Sequence, residues 1–247
     1  MPKPKSLIVI NPNSSQTVTD AIDLAINPLC RFGTPVRCLT LAEGPLGIES
    51  QKQADLTIAP MLDLAAAQTD AAGYVIACFG DPALDACREL TVKPVIGIAE
   101  AAMITASIIS AQFSIVSLIP RTKAVTRELV MHYGFGNKLA SIRSTTLHVL
   151  DVEQDPEGCI QTLREAALLA RDEDEAEAIL LGCAGFADFA ERLESELGIP
   201  VLDGVVCAVK LAEAMVELGK PTSKYITYAP PERKAYSGIF EKFGNAS

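Results

Sequence analysis

The chain has no tryptophan, and its only histidines are His132 and His148. Neither stands near a cysteine-bearing turn, so a cysteine–histidine nucleophile pair and a histidine-based metal site are both poorly supported. Runs of lysine or arginine are absent too: 21 basic residues face 31 acidic ones, for a formal charge of −10. Nucleic acid and anionic membrane surfaces are therefore disfavoured as partners. Cysteine is present seven times, an odd number, with no Cys-x-x-Cys pair and no signal-peptide pattern ahead of the first apolar run. The expectation is a reduced, cytoplasmic protein. Charge also vanishes between residues 101 and 119, but Thr105, Ser107, Ser110, Gln112, Ser114 and Ser117 interrupt that stretch. A buried helix followed by a buried strand fits it better than a membrane span.

What is there is aliphatic, 49% apolar with only 5% aromatic residues, enough to fill cores in one large or two small domains. Short β-branched runs alternate with longer amphipathic segments, the pattern of βαβ units and an α/β fold with parallel sheets covered on both faces. Strands are expected near 6–11, 34–39, 73–78, 94–98, 113–118, 143–150, 178–182 and 200–203. Helices are expected near 14–26, 51–68, 82–91, 100–110, 121–133, 156–171, 186–197 and 204–218. Asn13-Ser14-Ser15 offers a helix cap, Pro156 suits a first turn, and Gly198 followed by Pro200 closes a helix. The acidic run Asp172-Glu173-Asp174-Glu175 reads as a solvated helix end, with no metal assigned to it.

The chain also repeats itself. Cys78 and Cys183 each end an apolar strand, each opens into a glycine-containing turn, and each precedes a Pro-Val pair, Pro94-Val95 or Pro200-Val201. The cysteines are 105 residues apart and the prolines 106; Val18-Thr19 and Val125-Thr126 are offset by 107. Three registers agreeing this closely indicate a duplicated α/β unit. The first half spans residues 1–96 and the second 97–206. The helix that follows should cross back, adding 207–247 to the first domain.

Ligands of open α/β sheets sit at the carboxyl ends of strands, where both cysteines fall. A thiol of pKa about 8.5 is mostly protonated at neutral pH, and bringing it to about 7 takes roughly 2 kcal/mol. A helix amino terminus and the N–H groups of Phe79, Gly80, Ala184 and Gly185 are expected to supply that. Two opposed thiols can move a proton: one, as thiolate, takes hydrogen from a carbon beside a carbonyl, and the other returns one to the opposite face. The sulfurs would then stand roughly 6–7 Å apart, too far for a disulfide. Buried cysteines more often serve as small apolar side chains, which is the reading for Cys30, Cys38, Cys87, Cys159 and Cys207.

Several stretches together resemble the hydantoin and allantoin racemases of the aspartate/glutamate racemase superfamily. They are Asn11-Pro12-Asn13-Ser14, Gly44-Pro45 with Ile48-Glu49-Ser50, Cys78-Phe79-Gly80-Asp81-Pro82, Pro94 to Ala101, Leu181-Gly182-Cys183-Ala184-Gly185 and Asp203-Gly204-Val205. The resemblance implies two similar doubly wound parallel-sheet domains related by pseudo-two-fold symmetry, with the active site in the cleft between them. It also implies cofactor-independent racemisation with Cys78 and Cys183 as the catalytic pair, a cyclic ureide as substrate, and a homo-oligomer. Amino-acid racemases of the superfamily usually follow their cysteines with polar Asn-Thr and Thr-His; here Phe79-Gly80 and Ala184-Gly185 follow.

By the same resemblance the substrate contacts are Asn13, Ile48, Phe79, Gly80, Ser117, Ala184 and Gly185. Asn13 could instead be a helix cap, Ile48 core, and Ser117 a partner of a neighbouring loop. Ala83, Phe186 and Leu46-Gly47 depart from the usual family residues and leave the 5-substituent open. A decarboxylase or cis–trans isomerase of malonate or maleate derivatives, and a non-catalytic ureide-binding protein, stay as alternatives.

Overall fold

The structure, a computed structural model, describes residues 5–29, 34–232 and 234–244. The first half runs β1 (Ser6–Asn11), α1 (Gln16–Ile26), β2 (Val36–Thr40), α2 (Gln51–Ala66), β3 (Ala71–Ile76), α3 (Leu84–Leu90) and β4 (Val95–Gly97). The second runs α4 (Ile98–Ile109), β5 (Phe113–Ser117), α5 (Thr122–His132), β6 (Leu139–Ser144), α6 (Asp151–Gln154), α7 (Pro156–Asp172), β7 (Ala178–Leu181), α8 (Ala190–Leu197) and β8 (Val201–Asp203). The helix α9 (Gly204–Glu217) and a short α10 (Glu241–Gly244) follow.

The strands form two parallel four-stranded sheets, ordered β2-β1-β3-β4 and β6-β5-β7-β8. The orders are the same once the second half is renumbered onto the first, as the repeat requires. β1 and β3 are buried along their whole length, and their residues alternate between two cores because side chains of a strand point to opposite faces. Leu7, Val9 and Val75 join Val18 and Ile22 of α1 and the apolar faces of α4 and α9. Ile8, Ile10 and Ile76 face Met61 of α2 and Cys87 of α3 instead. The first of these cores continues without a break into the second half, through Ile115, Val116 and Leu180 to Leu163 of α7.

The charge-free stretch is α4 followed by β5, and no helix among the described residues is long and apolar enough to cross a membrane. Cys87 and Cys159 are buried, and Cys38 and Cys207 are partly buried against the core; Cys30 lies outside the described residues. The strand expected at 143–150 is displaced: β6 ends at Ser144. The alternating Leu147 and Val149 belong to a loop that buries both. That loop is pinned where Thr145 N–H and Oγ1 donate to the Ser117 carbonyl at 3.1 and 3.2 Å and Thr145 Oγ1 accepts from Leu147 N–H at 3.1 Å. Burial of a loop plug has imitated the period of a strand. The helix expected at 186–197 likewise begins as a 3-10 turn, Ala184–Phe189, and becomes α-helical only from Ala190.

Candidate active site

Each cysteine lies two residues beyond the end of the third strand of its sheet, Cys78 after β3 and Cys183 after β7. The backbone there is still held to the neighbouring strand: Ala77 N–H donates to the Ile10 carbonyl at 2.9 Å, and Gly182 N–H to the Val116 carbonyl at 2.8 Å. Both side chains, which are free thiols, line one cavity of about 320 Å³ between the carboxyl ends of the two sheets. Asn13, Ile48, Phe79, Gly80, Ser117, Ala184 and Gly185 line it as well, so all nine residues singled out in the sequence meet at one place.

The expected electrostatics are not met. Burial pushes the Cys78 thiol up to about 11 and the Cys183 thiol up to about 12. A backbone N–H, from Gly80 in one turn and Gly185 in the other, opposes that push without overcoming it. The reason is local geometry. No α-helix starts directly behind either sulfur: α3 begins only at Leu84, after Ala83 in a left-handed conformation, and Cys183 leads into the 3-10 turn. The helix-terminus field assumed from sequence falls off within a turn, and α3 and α8 begin six and seven residues beyond their cysteines. Desolvation of the thiolate therefore dominates.

Three polar groups around the cavity are held by their neighbours in a defined orientation. Asn13 accepts through Oδ1 from Asn11 Nδ2 at 2.8 Å and from Ser15 N–H at 2.9 Å, bracing the loop after β1. The cap of α1 is Ser15, which accepts from Val18 N–H, so Asn13 is not the helix cap. Ser117 and Thr122 hydroxyls lie 2.9 Å apart, and Thr122 donates its hydrogen to the Ile119 carbonyl. Ser117 is then the donor of the pair, and its remaining lone pairs are available to a ligand N–H. Above the cavity, Glu49 accepts from Val149 N–H at 2.8 Å and lies 2.8 Å from His148 Nδ1, clasping a first-half loop to a second-half one.

Sequence reasoning gave no site role to Glu49, Asp81, Arg121 or Val149, which also line the cavity. Glu49 and Asp81 stood inside quoted motifs; Arg121, at the start of a solvent-facing helix, had no signal at all.

The backbone of this arrangement is similar to an allantoin racemase from Klebsiella pneumoniae, with a TM-score of 0.94 at 39% identity over 98% of this chain and 100% of that one. A glutamate racemase from Francisella tularensis, at 15% identity and a TM-score of 0.61 over 91% and 85% of the two chains, shares the fold. Paired parallel sheets with a common cleft thus define the fold, and the likeness to the allantoin racemase gives the class, an α/β isomerase of the racemase type. In sequence the chain is 46% identical to a hydantoin racemase of Pseudomonas sp. (strain NS671) over 96% of both chains. Residues 7–212 match the family model described as Asp/Glu/Hydantoin racemase, and the chain belongs to that family.

Proposed function

We propose that the protein interconverts the enantiomers of 5-substituted hydantoins or of allantoin, without a cofactor, by proton transfer at C5 between Cys78 and Cys183. The observation that carries the reading is the meeting of two repeat-related thiols in one small cavity. The similar relatives, hydantoin and allantoin racemases by name, support the substrate class.

In this reading one sulfur, as thiolate, breaks the C5–H bond and becomes a thiol, leaving a planar enolate in the ureide ring. The other thiol gives its proton to the opposite face and becomes the thiolate. The two have exchanged protonation states, so the return reaction starts from the product's side. Asn13, Ser117 and the turn N–H groups of Gly80 and Gly185 are the candidates to hold ring carbonyls and the enolate oxygen. Ile48, Phe79 and Ala184 supply apolar walls, in keeping with a ligand whose ring is neutral. The same reading takes 1–96 with 207–247 as one lobe and 97–206 as the other, in a cytoplasmic homo-oligomer.

The test follows optical rotation and deuterium uptake at C5 with enantiopure hydantoins and allantoin in deuterated water. Wild type should lose rotation with uptake of solvent deuterium. Cys78→Ser and Cys183→Ser should each abolish inversion while retaining exchange of one enantiomer. Absence of exchange with every such substrate refutes the proposal.

A further inference from the structure

The two halves differ in how they cap the helix that follows their last strand. In the second half Asp203 is itself the cap of α9, accepting from Val205 and Val206 N–H at 3.0 Å each. The position in register with it, 106 residues earlier, is Gly97, which has no side chain. The corresponding amides of α4 are nonetheless capped by a carboxylate. Asp81 accepts from Ala99 N–H at 3.1 Å and Glu100 N–H at 2.9 Å, one on each oxygen. A Cβ on Gly97 would lie 2.2 Å from Asp81 Cγ, so the carboxylate occupies the room that a side chain at the strand end would take.

That carboxylate belongs to the Cys78 turn. Asp81 donates its N–H to the Cys78 carbonyl at 2.9 Å, and it is left-handed, with φ of 43°. Its Oδ2 also accepts at 2.7 Å from the hydroxyl of Tyr133, which follows α5 in the second half and packs against both cores. One side chain therefore ties the Cys78 turn to α4 and to the opposite half. At the repeat-equivalent place behind Cys183 stands Phe186, fully buried and without charge.

We propose that Asp81, held by Tyr133, is the positioning residue of Cys78, anchoring that thiol's turn across the cleft and making the two sulfurs unequal where the repeat would make them alike. The proposal rests on the two-thiol reading above. The groups facing the carboxylate fit this role: Tyr133 and the α4 amides donate to it, while Glu100, next to it on α4, is engaged by Arg88 at 2.6 Å. Burial pushes Asp81 itself up to about 7, and its charge raises Cys78 further.

The experiment introduces Asp81→Asn into each single-thiol protein, Cys183→Ser and Cys78→Ser, and reads C5 deuterium exchange. Exchange carried by Cys78 should fall at least tenfold and exchange carried by Cys183 less than threefold. Tyr133→Phe, which keeps the ring and the packing, should shift the same partition in the same direction by a smaller factor. The double variant Asp81→Ala with Gly97→Asp, which moves the cap to the register used by Asp203, should regain thermal stability without regaining Cys78-borne exchange. Equal losses through both thiols, or full recovery of exchange in the double variant, overturn the proposal and leave Asp81 as a helix cap only. A readout free of turnover separates this from the function itself: Asp81→Asn should speed alkylation of Cys78 by uncharged iodoacetamide at least threefold and leave Cys183 unchanged. If wild type exchanges no ureide, the racemase reading fails, and an unchanged Cys78 alkylation rate still refutes the role of Asp81.

Discussion

Raising the pH should expose the state of the two sulfurs directly. Burial puts Cys78 at about 11 and Cys183 at about 12, against an ordinary value of 9.0. At pH about 8 the Cys78 thiolate fraction is then about one in a thousand, while a thiol of pKa 9.0 would be roughly one-tenth ionised. Uncharged iodoacetamide reacts with the thiolate, so alkylation of Cys78 should be about a hundredfold slower than that of an unburied thiol. The rate should climb about tenfold per pH unit, with no plateau below pH about 10. Peptide mass spectrometry of timed, quenched samples resolves the two cysteines, and far-UV circular dichroism verifies that the fold persists over the range. Because the thiols feel each other's charge, the profile reports the pair, with Cys183 lagging Cys78. A plateau below pH about 8 would refute the reasoning: the Gly80 and Gly185 N–H groups would then outweigh burial, and a thiolate would be resident before substrate arrives.

Two further outcomes concern stability. A Cβ on Gly204 would meet the backbone oxygen of Ile98 at 2.6 Å, where α4 and α9 cross, and backbone cannot swing aside. Gly204→Ala should cost about 1–3 kcal/mol, less a few tenths for helix propensity, in urea unfolding; unchanged stability would show the crossing to be looser than described. Asp203 is pushed up from 3.8 to about 6 by burial, so the folded protein holds its proton where the unfolded chain has lost it. Its contribution to stability must therefore decline as pH rises from about 4 to 6, by about 3 kcal/mol at most, and stay level above that. Asp203→Asn should flatten that part of the stability curve, and an unaltered slope would count against the assignment.

Much of the fold was legible because fully buried strands carry aliphatic runs, as in Leu7 to Ile10 and Ala178 to Leu181, and because the halves keep one register. The pairing of Cys78 with Cys183 followed from that register, while the surrounding pocket came from the family motifs. Less legible was anything depending on contacts distant in the chain. Leu147 and Val149 alternate like a strand because the loop they plug is roofed by Glu49, about a hundred residues away. Gly97 against Asp203 looks like an ordinary difference between repeats until Asp81 is seen filling the gap. The thiol environment was misjudged for a related reason: a turn and a helix start look alike in sequence, but only a helix start aims its amides along one axis.

The course of α9 bears on how the protein is made. This helix, the last long one of the chain, packs on β1, β3 and β4 of the first sheet, and Val216 fills the space beside Gly73 and Leu7. A polypeptide emerging from the ribosome completes its first four strands well before residue 216 exists, so the part of that sheet's apolar side covered by α9 stays open long after α1 has packed on its neighbour. Native closure of the first sheet thereby waits for a segment more than a hundred residues beyond β4, and a nascent chain stalled after β8 would present an adhesive surface to chaperones.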